Sequence, residues 1–150
     1  MSYTNVKPSS RAVVAAVLDP VSQAAATVTT GWVSMATYDA ILAILQVGAL
    51  GASATVDAKI QQATSSGGAG AKDLSPVRSI TQLTKAGTDD NKQVSINVRS
   101  DELDVANGFT HVRLSVTVAT AACLISAVIL GFDARYQTAT AATTLDEVVG

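Results

Sequence analysis

Three stretches of the chain alternate strictly between apolar and polar residues, and this period of two constrains the fold more firmly than any other feature. Val56, Ala58 and Ile60 interleave with Thr55, Asp57, Lys59 and Gln61. Val94, Ile96 and Val98 interleave with Gln93, Ser95, Asn97 and Arg99, and Val112, Leu114, Val116 and Val118 with His111, Arg113, Ser115 and Thr117. Side chains of an extended strand point to opposite faces in turn, so each stretch predicts a strand with one buried and one wet face.

Two further runs, residues 41–47 and 124–130, are almost wholly apolar. They predict strands covered on both faces, or strands whose outer face lies against another subunit. The Ala and Leu content of 41–47 leaves a short buried helix open there, whereas Val128-Ile129 favours a strand in the second run. Between these segments stand turn formers: Gly48 and Gly51, the loop 65–70, the Gly- and Asp-containing stretch 86–91 read as a hairpin connection, and the Asn107-Gly108 dipeptide. The loop 65–70 is read as a flexible hairpin tip. Short strands at close spacing, with no competing helical period, predict an all-β antiparallel sandwich or barrel.

A chain of 150 residues makes one domain. Its expected organisation is an N-terminal arm and first strand over 1–30, a sandwich core over 31–136 and a C-terminal tail over 137–150. Residues 1–11 and 137–144 are polar or low in complexity and read as extended arms. Lys7 and Arg11 followed by apolar residues 12–18 resemble a short signal sequence, but Asp19-Pro20 stands where a small-residue cleavage site belongs. The apolar stretch 40–54 is interrupted by Gln46 and falls short of the ~20 residues that a bilayer requires, so no membrane span is expected.

Charged residues make up only 15% of the chain, against about 25% in an average protein. A surface poor in charge is cheap to desolvate, which suits a protein packed against neighbours. The net charge is −2 and the arginines are scattered, so the basic stripe that nucleic-acid binding requires is not there. Cys123 is the single cysteine and lies in an apolar run, as a buried thiol does.

No constellation predicts catalysis. His111 is the only histidine, and no Gly-x-Ser-x-Gly elbow accompanies it. One His and one Cys are too few for a usual zinc site, and Asp89-Asp90-Asn91 and Asp101-Glu102-Leu103-Asp104 do not follow the calcium-loop spacing. Gly70-Ala71-Lys72-Asp73 lacks the Gly-Lys-Ser/Thr of a phosphate loop. The expectation is therefore a protein without catalytic residues, metal or cofactor.

The segments Gly31-Trp32-Val33-Ser34-Met35, residues 55–64, residues 89–99 and residues 108–114 together resemble a family of small structural proteins encoded near the head genes of tailed bacteriophages. The likeness spans residues 31–136 and is one of strand order, not of a catalytic motif. In layout the chain is similar to jelly-roll cement proteins of phage heads. The resemblance implies a jelly-roll-like sandwich on the outer surface of the virion capsid, made in the host cytoplasm. There it would bridge HK97-like major capsid protein subunits and self-associate as a dimer or trimer. It also leaves open a head–tail connector, tail-terminator or tail-tube component; a host glycan-binding module with Trp32 as its platform is a further reading. The residues expected at interfaces are Tyr3, Val6, Arg11, Trp32, Tyr136, Leu145 and Val148.

Overall fold

The computed structural model describes residues 5, 7–136, 145–147 and 149. A single helical turn, Pro8–Arg11, leads into β1 (Ala12–Gln23), β2 (Ala26–Thr29), β3 (Val33–Ser34), β4 (Tyr38–Leu50) and β5 (Thr55–Ala63). Then come β6 (Lys72–Asp73), β7 (Leu83–Thr84), β8 (Gln93–Arg99), β9 (His111–Ala119) and β10 (Cys123–Ala134). Two 3₁₀ turns, Ser100–Glu102 and Val105–Asn107, lie between β8 and β9.

The strands form two sheets. The first has the order β1-β10-β4-β8; the second has β2-β9-β5-β6, with β3 also paired to β9 and β7 to β5. All these pairings are antiparallel. One core binds the two sheets together. The first sheet contributes Ile41, Ala43, Leu45 and Val47 from β4 and Ile125, Ala127 and Ile129 from β10. The second contributes Val56, Ala58 and Ile60 from β5 and Val112, Leu114, Val116 and Val118 from β9. The chain is thus an all-β antiparallel sandwich, as its period-two pattern predicts. The run 41–47, open between strand and helix from sequence, is the middle of β4.

One connection differs from the sequence expectation. The stretch 86–91 joins β7 in the second sheet to β8 in the first, so it crosses between layers and is not a hairpin. Its fold depends on side-chain caps: the Thr84 N–H donates to Asp89 Oδ2 at 2.9 Å, and the Leu50 N–H donates to Asp90 Oδ1 at 2.7 Å. Asn107-Gly108 forms the expected turn: it closes a 3₁₀ turn, with Gly108 in the left-handed region at φ 81°, and β9 begins at His111. Residues 12–18 belong to the long edge strand β1.

β1 carries two register shifts, between Val14 and Ala16 and between Leu18 and Val21, and holds Pro20. Bulges and proline blunt an edge strand against pairing with another chain. Toward its end the inner row of β5 turns polar. Gln62 is only 1% exposed, and its Oε1 accepts the Asp104 backbone N–H at 2.9 Å. That bond ties the 3₁₀ segment down onto the second sheet.

On β10, Gly131 makes room for an aromatic ring. A Cβ at this position would lie 2.5–2.6 Å from the Tyr38 ring atoms Cδ1, Cε1 and Cγ. Tyr38 is buried in that space, and burial raises its phenol pKa above the ordinary 10.0.

Candidate interaction surface

The two outer faces of the sandwich differ in kind. The second sheet's outer face is polar and satisfies its own hydrogen bonds. Thr27 and Thr117 share a hydroxyl bond of 2.8 Å across β2 and β9. Arg113 donates to Gln61 Oε1 at 2.8 Å across β9 and β5, Lys59 pairs with Asp73 at 2.9 Å, and Gln82 donates to Asp57 at 2.7 Å. These cross-strand pairs leave a hydrated surface with few unmet needs.

The first sheet's outer face is apolar over three of its four strands. Register places the rows side by side. Val14 lies opposite Leu130, which lies opposite Leu42; Val17 lies opposite Val128, which lies opposite Ile44. In the next row Ala12 and Ala40 flank Phe132. Each of these side chains is half-buried, shielded by its neighbours on the face but still in part open to water. Their inner neighbours Ala43, Leu45 and Ile129 are at most 2% exposed. The outer rows of β1, β4 and β10 through these positions carry no charge.

Polar groups, with charges only toward the strand ends, border the apolar rows. Along one side runs the β8 row Gln93, Ser95 and Asn97, which ends at Arg99. At one end Ser126 lies opposite Gln46, and Pro20, Val21 and Leu124 frame an open groove of ≈ 520 Å³. Val21 and Leu124 are both 48% exposed. An apolar, uncharged centre with a polar rim is the composition of a protein contact surface.

The residues expected at interfaces scatter over the fold. Arg11 and Tyr136 flank the Ala12/Phe132 end of the apolar face, and Tyr136 is 82% exposed. Leu145 is exposed, while Tyr3, Val6 and Val148 lie outside the described residues. Trp32 belongs to the second sheet's side of the molecule. The Arg113 guanidinium stacks 4.4 Å from the centre of its ring. A Cβ on Gly68 would lie 2.7 Å from its Nε1, and Gly68 has φ 83°. The Trp32 ring thus packs against the Arg113 guanidinium and against the backbone of the 65–70 hairpin tip. Leu42, Ile44, Val128 and Leu130 were not singled out as contact residues. Their signal lay in the apolar runs themselves, which lack the polar alternate residue of a solvated face.

His111 lies opposite Ser34 and shares a bond of 2.8 Å between Nδ1 and the Thr110 hydroxyl. Cys123 is buried in β10. Among the described residues no three His, Cys, Asp or Glu side chains are grouped to hold a metal ion, and no helix is long and apolar enough to cross a membrane.

The carboxylates act in stabilising the loops. Lys59 holds the Asp73 carboxyl below its ordinary value, and the Leu50 N–H and then Lys85 do the same for Asp90. Glu102 is lowered by the Arg99 N–H and then Arg78, and Asp104 by Lys72 and then Asn107. A carboxyl depressed in the folded state adds stability above its unfolded value, and that stability is lost as pH falls through the folded value. The melting temperature is therefore expected to hold level from neutrality down to about pH 5 and to fall steadily below about pH 4. A thermal melt series across that range checks this; an unchanged midpoint at about pH 2 would contradict it.

No protein-family model, curated protein or solved structure matches the chain.

Proposed function

We propose that the protein is a non-enzymatic structural component that works by burying the outer face of its first sheet in an assembly. The observation that carries this is the contrast between that face, apolar and uncharged across the central rows of β1, β10 and β4, and the self-satisfied polar face behind it. Large contiguous apolar patches on a soluble domain mark contact sites. The proposed assembly is the virion of a tailed phage, where the chain acts as a decoration or cement protein on a shell of major capsid protein.

The strand arrangement supports a jelly-roll reading. With β2 and β3 counted as one interrupted strand and β6 and β7 as another, successive strands fall in the first, second, first, second, second, first, second and first sheets. The first and last long strands, β1 and β10, lie side by side. Two four-stranded layers with the chain ends adjacent form the double-sheet architecture found in viral shell domains. In a rigid sandwich of this kind, many copies each adding a modest buried area sum to a strong mechanical tie.

Copy number tests the reading. Quantitative mass spectrometry of purified particles should find at least one copy per several capsid subunits. A number fitting a single ring of six or twelve would move the protein to the neck or tail, and absence from particles would overturn the structural reading.

A further inference from the structure

The apolar face needs an occupant, and its chemistry points to a second copy of the same chain. From this geometry we infer that two protomers pack the outer faces of their first sheets together as a reversible two-fold dimer. The inference rests on the reading of that face as a contact surface and names what covers it.

Charge is the first argument. A two-fold contact brings each group near its own copy, so any net charge on the face repels itself. The central positions Leu42, Ile44, Val128, Leu130, Val14 and Val17 hold no charge, and the aspartates of these strands, Asp19, Asp39 and Asp133, stand toward the strand ends, so contact centred on the apolar rows carries little such cost. Nor does the centre of the face offer a charged group by which a different partner could be selected; charged complementarity is what ordinarily gives specificity between unlike proteins. Arg99 lies at the rim, on the far edge of β8, where it can remain hydrated.

Relief is the second. Face-packed sheets sit about 10 Å apart with their strands about 30° off parallel, and the side chains of the two faces interdigitate. Phe132 stands as a ridge between Ala12 and Ala40. The small residues on both sides leave troughs into which a ridge from the other copy can settle.

Area is the third. Three strands spaced about 4.8 Å apart, followed for the eight residue steps from Leu124 to Phe132, cover about 14 Å by 26 Å, or about 370 Å². Adding the polar β8 row brings the footprint to about 500 Å². A standard stable interface buries about 800 Å² per partner. The face is therefore large enough for a specific contact and small enough for the contact to dissociate, which assigns a concentration-dependent dimer rather than an obligate one.

The test is sedimentation velocity of the full chain over a wide concentration range, with Val128→Asp and the milder Leu42→Ser on the apolar face and Thr117→Asp on the polar face. Circular dichroism and thermal melts establish that each variant is folded. The wild type and Thr117→Asp are expected to move from monomer to dimer as concentration rises. Val128→Asp is expected to raise the dimer dissociation constant by about thirty-fold or more, as for loss of a central contact, with Leu42→Ser weaker in the same direction. A wild type that stays monomeric at every concentration overturns the dimer. So does a dimer that neither face variant weakens. Neither result touches the proposed role in the particle, which copy number tests separately.

Discussion

Replacing Gly131 with alanine is expected to destabilise the fold by about 3 kcal/mol, at the upper end of what overpacking a core costs. The added Cβ would lie 2.5–2.6 Å from three atoms of the Tyr38 ring. Ring atoms held in a core cannot swing aside as the tip of a flexible side chain can. Tyr38 is buried, and its strand partner on β10 is Ala134, so relief would require β4 to shift against β10 in the centre of the first sheet. For a chain of this size such a loss lowers the melting temperature by roughly 6–12 °C. The double variant Gly131→Ala, Tyr38→Leu gives the ring's part directly. If the clash is the cause, the two changes are strongly non-additive and the pair loses less than the sum of the singles. A loss below about 0.5 kcal/mol for Gly131→Ala would show that the ring is free to move.

The neighbouring pair Ile129 and Leu130 separates the two faces of the same strand. Ile129 points into the core and is fully buried; Leu130 points outward and is half-buried. Ile129→Ala is expected to cost about 3–4 kcal/mol, because it removes buried methylenes and leaves a cavity that the rigid sheets cannot close. Leu130→Ala is expected to cost the isolated protomer less, about 1–2 kcal/mol, since part of that side chain is exposed already and no closed cavity is left. Urea unfolding at low protein concentration measures both. Equal losses would mean that the outer face is covered within the protomer itself, and its availability to a partner would then fall.

How far the fold is legible in the sequence depends on where the period of two is kept. β8 and β9 hold it without interruption and β5 holds it as far as Gln61, and each strand lies where the alternation runs. β4 and β10 were legible as strands because apolar runs of that length, bounded by glycines and turns, fit a sheet, although the Ala and Leu content of 41–47 left a helix open. β1 was not legible as a long strand. Its two register shifts advance the chain by extra residues, so inward and outward positions change places and no single alternation survives. The crossing 86–91 looks like a hairpin because its residues favour a turn whichever sheets the turn connects. The layer change is set by pairing β8 with β4 rather than with β7, a non-local choice.

The contact surface was half legible. The apolar outer rows of β4 and β10 made the possibility of a covered outer face visible in the sequence. Which residues share that face follows only from register: Val17, Val128 and Ile44 are far apart in the chain and adjacent in the sheet. The surroundings of Trp32 likewise follow only from the fold. A sole tryptophan invites a role in recognition, yet this one is engaged by Arg113 and the Gly68 backbone, partners that no local pattern announces.

The central claim is that the outer face of the first sheet is what the assembly buries, and competitive incorporation tests it most directly. Wild type and Val128→Asp are supplied in equal amounts during particle assembly, and their ratio in purified particles is read by mass spectrometry, with Thr117→Asp run in the same way. The account predicts that folded Val128→Asp is depleted several-fold while Thr117→Asp enters at parity. Parity for Val128→Asp would contradict it.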